Sequence, residues 1–223
     1  MGRPRLFDID KALDAATGLF WRLGYEATSL SDLTNAMGIS PPSFYAAFGS
    51  KEGLFEQVVE RYSTAQAVII DGALSKSEPI EILRALMDGV ATLLTNPRYA
   101  PGCLIMNSAL PVTGGVPFRT SFAEQRGALR LRLAKRLQAV CSKSALSPPL
   151  DARTVARLAV SIYWGMAVEA QSGASRQEIR AIGDAFVQLL ERELFARKYD
   201  TRNAAKADLG TPAAIVPGAP RAK

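Results

Sequence analysis

Residues 24–55 read GYEATSLSDLTNAMGISPPSFYAAFGSKEGLF, and they decide the fold. Ser29 precedes Asp32 at capping-box spacing, and Leu30, Leu33 and Met37 then share one side of a helix that Gly38 ends. Ser40 is a good N-cap and Pro41 takes the first helical position, where its missing N–H is not needed, so a second helix runs to Phe48. Ser50 caps a further helix carrying Leu54, Phe55, Val58, Val59 and Tyr62 and continuing past Ile70. Two short helices joined by Met37-Gly38-Ile39-Ser40 have the layout of a helix-turn-helix, whose second helix can enter a DNA major groove. A plain αα-corner has the same spacing, and spacing alone leaves both open.

Helical periodicity extends in both directions from this stretch. Upstream, Asp8 is an N-cap, Ile9, Leu13, Ala16, Phe20 and Leu23 recur at steps of three and four, and Gly24 is the stop signal. Downstream, helical patterns cover roughly 80–95, 102–110, 119–144, 151–173 and 176–198. No segment alternates as a strand does, so the fold class is all-α. Beyond Asp200 the chain is rich in Ala, Pro and Gly, and its few apolar residues do not offset the entropy of ordering it. Residues 200–223 are therefore expected to be a disordered tail.

Gly24-Tyr25-Glu26-Ala27-Thr28-Ser29, Leu33, Gly38-Ile39-Ser40, Ser43-Phe44-Tyr45, Phe48 and Ser50-Lys51-Glu52-Gly53-Leu54-Phe55 resemble the N-terminal signature of the TetR family of transcriptional regulators (TetR/AcrR type), over roughly residues 8 to 62. The resemblance implies a helix-turn-helix DNA-binding domain with its N-terminal arm at 1–50 and a helical ligand-binding and dimerisation domain at 51–199. It also implies a repressor that binds a palindromic double-stranded DNA operator as a homodimer and is released by a small hydrophobic or electrophilic effector. An activator or architectural DNA-binding protein without an effector is the alternative. By the same resemblance Ser40, Pro41, Pro42, Ser43, Tyr45, Ala46 and Ala47 sit where the family's recognition helix touches DNA, and Ser29 and Lys51 where it grips phosphate. Ala47 departs from the family, which often has histidine or an aromatic there, so thymine methyls and indirect readout are expected to carry more of the specificity.

The residues support a DNA-facing surface on their own terms. At about 100° per residue, Phe44 and Phe48 share one face and turn inward, while Pro42 and Ala46 face out, flanked by Ser43 and Tyr45. Small side chains let a helix sit deep in a groove, and the two hydroxyls can bond to bases or phosphate. Lys51 stands at a helix start, where free N–H groups attract an anion. Arg3 and Arg5 form a short basic arm that either stays solvated or reaches the minor groove or backbone.

In the second half, Ile179, Ile182, Phe186, Leu189, Leu190 and Leu194 form a stripe, preceded by Val155, Leu158, Ile162 and Val168. The two segments are similar to the family's dimerisation pair; an intramolecular core would show the same stripe. Met87, Tyr99, Cys103, Met106, Phe122, Tyr163 and Trp164 are the candidate lining of an effector pocket, an adaptable mixture that also suits ordinary core. Cys103 follows Pro101-Gly102 at the expected start of a helix, where N–H groups lower a thiol's pKa. Gly102-Cys103-Leu104 is similar to a segment of family members that respond to reactive electrophiles, although a lone cysteine is also a common small core residue.

Composition sets the outer limits. With 223 residues, 48% hydrophobic and 22% charged, the chain is globular. It has no histidine, which excludes Ser-His-Asp and Cys-His chemistry and histidine metal sites, and Cys103 and Cys141 are too few for a disulfide framework. No cofactor, metal or catalytic residue is expected: acid pairs such as Glu191 with Glu193, or Asp184 with Glu191, read as helix surface. The net charge of +6 is concentrated in 119–143 and 197–223, and the remainder is net acidic, so charge alone does not locate a DNA surface. The basic run from Arg126 to Arg136 reads as solvated surface over Leu129, Leu133 and Leu137. No apolar run follows the N-terminal charges, Leu6 breaks the myristoylation pattern, and prolines and glycines interrupt the uncharged stretch 99–118, so a cytoplasmic protein without a membrane partner is expected.

Overall fold

The computed structural model describes residues 7–109, 119–141 and 151–208, and every regular element among them is helical. In chain order these are α1 (Ile9–Ala27), α2 (Leu30–Met37), α3 (Pro41–Phe48), α4 (Lys51–Leu74), α5 (Pro79–Leu94), α6 (Leu104–Ala109), α7 (Arg119–Val140), α8 (Ala152–Gln171) and α9 (Arg176–Asp208). The architecture is an N-terminal helix-turn-helix unit followed by a larger helical domain.

Local chemistry sets the early boundaries. The Asp8 carboxylate accepts from the N–H groups of Asp10 and Lys11 at 3.0 and 3.2 Å and starts α1. Gly24, at φ 79° and ψ 169°, breaks the helical path one turn before Ala27, a conformation that a side chain would strain. At α2 the capping box is complete: Ser29 Oγ accepts from Asp32 N–H at 3.1 Å and Asp32 accepts from Ser29 N–H at 3.0 Å. Gly38 ends α2 in the left-handed region, and Ser40 Oγ accepts from Ser43 N–H at the head of α3.

The first core is aromatic. Phe20, Tyr25, Phe44, Phe48 and Phe55 are buried, with Phe20 edge-on to Phe55 at 4.9 Å and Phe44 against Phe48 at 5.6 Å. α4 begins at Lys51 and serves both parts: Leu54, Phe55 and Val58, near its start, belong to this core, while Ile70 and Ala73 lie farther along the same helix. In the larger domain α5 packs between α4 and α9, and α7 packs on α8. Leu83, Leu86 and Val90 of α5, Leu133 and Leu137 of α7, Ala159 and Met166 of α8 and Val187 of α9 fill it. Each of the leucines, valines and methionines among them contributes about 1.5–3 kcal/mol through its removal from water.

α1 reaches the larger domain through α6 and the turn before it. Trp21 Nε1 donates to the Gly102 carbonyl at 3.2 Å, and its ring stacks on Tyr99 at 4.9 Å and meets Tyr62 edge-on at 5.1 Å. Asp14 on the same helix holds Arg98 at 2.6 Å and Arg61 at 3.2 Å.

Two sequence expectations shift. α9 continues to Asp208, so the first part of the expected disordered tail, 200–223, is helical; residues 209–223 lie outside the described residues. Ala204, Ala205, Lys206 and Ala207 are strong helix formers, and extending an existing helix needs no new nucleus. α6 begins at Leu104 rather than 102, because Gly102 has φ 98°, which leaves Cys103 ahead of the helix.

Candidate DNA-binding and effector sites

The outer face of α3 is built from the inside. Phe44 is fully buried and Phe48 nearly so, with Met37 and Ile39 of the turn packed against the same core, and this fixes the roll of the helix. Pro41, Pro42, Tyr45 and Ala46 are then exposed, Ser43 is half-buried, and Ala47 leans partly into the core. Tyr45 projects with 52% of its surface exposed and is braced by the edge of Phe44 at 5.5 Å. The Ser40 and Ser43 hydroxyls lie 2.9 Å apart. The surface carries hydroxyls and small apolar groups and no charge, a combination suited to groove contact and to thymine methyls.

Ser29 is exposed, but both its N–H and its hydroxyl are engaged with Asp32, the hydroxyl at 2.5 Å. These bonds hold the Asp32 carboxyl below its usual range, hydroxyl first. Lys51 opens α4 with its ammonium 4.3 Å from the centre of the Tyr25 ring. Ser29, the exposed face of α3 and Lys51 thus occur on consecutive elements around one turn unit. Arg3 and Arg5 lie outside the described residues.

A cavity of about 260 Å³ opens between α4, α6, α7 and α8. Of the residues expected to line an effector pocket, Cys103, Met106, Tyr163 and Trp164 come together around it. Met87 and Tyr99 do not. Met87 packs where a Cβ on Gly183 of α9 would stand 2.8 Å away, and Tyr99 is the stacking partner of Trp21. Phe122 belongs to α7, and its side chain lies outside the described residues.

Sequence reading missed Ser63 and Gln66 on α4 and Gln125 and Arg132 on α7, all of which line the cavity. The signal was faint: Ser63 and Gln66 are polar residues one turn apart between the buried Tyr62 and Ile70. Arg132 reaches across to an ion pair with Asp71 of α4.

The polar end of the cavity is a small network. Tyr62 donates its hydroxyl to Cys103 Sγ at 3.3 Å, Gln66 Nε2 donates to the Tyr163 hydroxyl oxygen at 2.6 Å, and that hydroxyl lies 3.9 Å from the sulfur. Burial pushes both phenols well above the usual range, so they stay neutral donors. Ser63 Oγ is buried without a hydrogen-bond partner among the described residues. Cys103 itself is buried, ahead of α6 and beside the two phenols. No cluster of metal-ligating side chains occurs among the described residues, and no described helix is long and apolar enough to cross a membrane.

The apolar stripes of α8 and α9 are partly buried and partly exposed. Val155, Ile179, Phe186 and Leu190 are buried within the chain, as an intramolecular core requires. Leu158, Val168 and Leu189 stay exposed, the last at 66%. Gly165 adds open space on α8, with nothing within 4 Å of where a Cβ would stand.

Known proteins share this arrangement. Residues 12–58 match the bacterial regulatory proteins of the tetR family. The chain is 34% identical over 194 residues to the HTH-type transcriptional repressor ComR of Escherichia coli (strain K12), covering 84% of this chain and 91% of ComR. It is 37% identical over 106 residues to the HTH-type transcriptional repressor BdcR of the same organism, covering 47% and 54%. A cysteine mutant of the TetR family regulator CifR, solved with 26-bp double-strand operator DNA, matches with a TM-score of 0.70 at 30% identity, covering 83% of this chain and 98% of that one. Because the likeness to ComR runs through both the helix-turn-helix and the larger helical domain, the chain belongs to the TetR family of bacterial transcriptional regulators.

Proposed function

We propose that this protein is a transcriptional repressor that binds a palindromic operator as a homodimer, reads each half-site with α3, and is released by a small hydrophobic or electrophilic effector held in the α4/α6/α7/α8 cavity. The observation that carries the reading is the uncharged outer face of α3, with Tyr45 projecting from a helix locked by Phe44 and Phe48. ComR and BdcR, both named as repressors, and operator-bound CifR support it. Ser40, Pro41, Pro42, Ser43, Tyr45, Ala46 and Ala47 are the proposed groove contacts, with Ser29, Lys51 and the Arg3 and Arg5 arm on the backbone. A recognition helix of 8 residues reads few bases, so a two-fold partner is needed for adequate specificity, and exposed Leu158, Val168 and Leu189 supply an apolar face for it.

The test is fluorescence anisotropy on the DNA upstream of the protein's own gene, against scrambled competitor, at two salt concentrations. Tight binding that survives competitor is expected, and Tyr45→Ala is expected to weaken it by about 10-fold, the scale of one good base contact. Equal, salt-sensitive binding to both sequences overturns the reading.

Release requires an effector that prefers the released conformation, since equal affinity for both states shifts nothing. Ligand occupancy is expected to raise the melting temperature, which separates this reading from a regulator without an effector. Cys103→Ser tests the electrophilic branch: release by an alkylating agent is expected to disappear, while release by an unreactive hydrophobic ligand persists. Alkylation-driven release that survives the substitution removes Cys103 from that role.

A further inference from the structure

We propose that Tyr25 is a positioning residue for operator binding: its ring holds the Lys51 ammonium at the head of α4, and its hydroxyl ties that ring to the same helical turn through Glu52. The proposal rests on the reading that Lys51 meets a DNA phosphate, and it adds a residue that does not itself touch DNA.

The placement starts from the backbone. The break at Gly24, φ 79°, turns Tyr25 out of the path of α1 and into the core, where it is only 4% exposed. The ring is wedged against Phe55 at 4.9 Å and stacked on Phe20 at 6.0 Å. Lys51 Nζ lies over the ring, 4.3 Å from the centroid, inside the range of a cation–π contact. The phenol donates to Glu52 Oε1 at 2.8 Å. The Glu52 carboxyl is held below its usual range first by its own backbone N–H, then by the Tyr25 and Ser50 hydroxyls, so it stays an acceptor for Tyr25.

Lys51 and Glu52 are neighbours on the first turn, and one aromatic side chain engages both. An unrestrained lysine loses several rotatable bonds' worth of freedom when it docks on phosphate; one already resting on a ring loses less.

The experiment is a double-mutant cycle on the full chain with Tyr25→Leu, Lys51→Ala and the pair, measuring affinity for a random-sequence duplex and for the upstream DNA across a salt series. Lys51→Ala is expected to reduce the salt slope by about 1.8 for a bound homodimer, about 0.9 for the one phosphate that each protomer loses. Tyr25→Leu is expected to weaken binding about 3-fold in the native background and to have no further effect once Lys51 is Ala, the signature of a contact that acts only through Lys51. A purely structural role weakens binding equally in both backgrounds, and that additivity overturns the proposal. Melting curves show whether Tyr25→Leu folds; should it not, the cycle is run with Tyr25→Phe, which keeps the ring and loses the Glu52 bond, with an expected loss of about 2-fold that again vanishes without Lys51. A Lys51→Ala protein with an unchanged salt slope overturns the phosphate reading together with this proposal. A lowered slope with additive cycles overturns this proposal alone.

Discussion

Trp21→Ala is expected to destabilise the protein by about 3 to 5 kcal/mol, the cost of emptying a fully packed indole site, and to lower the melting temperature by roughly 10 °C in a chain of this size. Trp21 is 1% exposed and lies where α1, α4 and the turn before α6 meet. Its ring is stacked on Tyr99 and edge-on to Tyr62, and its N–H satisfies the buried Gly102 carbonyl. Removing it takes away these contacts at once and leaves that carbonyl unpaired, which alone costs about 1 to 3 kcal/mol. Differential scanning calorimetry reads the shift directly; a loss below about 1 kcal/mol would show that the site collapses around the missing ring.

The position gives the substitution a second consequence. Tyr62, which touches Trp21, donates to Cys103 at the polar end of the cavity, and Gly102 is the residue before Cys103. The milder Trp21→Phe keeps most of the packing and breaks only the bond to Gly102. On the proposed reading it leaves operator affinity within a few-fold of the native value but raises the effector concentration needed for release, because α1 no longer follows the turn that carries Cys103.

What was legible in the sequence was local. Capping residues act over three or four positions, so Asp8, Ser29, Ser40 and Ser50 announced four helix starts, and Gly24, Gly38 and Pro41 shaped the turns between them. The inward roll of Phe44 and Phe48 followed from helical period alone. The cavity was less legible because its walls come from four helices far apart in sequence. Met and aromatic residues fit a pocket wall and a plain core equally well. Cys103, Met106, Tyr163 and Trp164 meet at the cavity, whereas Met87 and Tyr99, chemically as suitable, went to other packing sites. Arg132 read as one charge in a solvated basic run, and only the approach of α7 to Asp71 brings it to the rim. Likewise the stripe on α9 did not say which leucines turn inward: Leu190 is buried and Leu189, next to it, is exposed.

Gly53→Ala is expected to reverse the ordinary rule for a glycine inside a helix. An exposed helical glycine usually gains about 1 kcal/mol on conversion to alanine, because alanine loses less backbone freedom on folding. Gly72, on the same helix, has nothing within 4 Å of where a Cβ would stand, so Gly72→Ala should show that gain. At Gly53 the new methyl would lie 2.4 Å from the carbonyl oxygen of Phe48. That atom is backbone and cannot rotate aside, so α3 and α4 must separate by about 1 Å to restore ordinary contact. The net expectation is a loss of about 2 kcal/mol in urea unfolding, the scale of an overpacked core. The same displacement moves the last residue of α3, and with it the outer face that carries Tyr45, relative to Lys51 on α4. Operator binding should therefore fall by more than about 10-fold, beyond what the stability change alone produces in a chain that remains folded, because groove contacts and phosphate contacts must be met at one fixed spacing. Equal stability of Gly53→Ala and Gly72→Ala would show that the junction yields; a stable Gly53→Ala protein with undiminished binding would show that α3 is free to shift against α4 while still reading DNA.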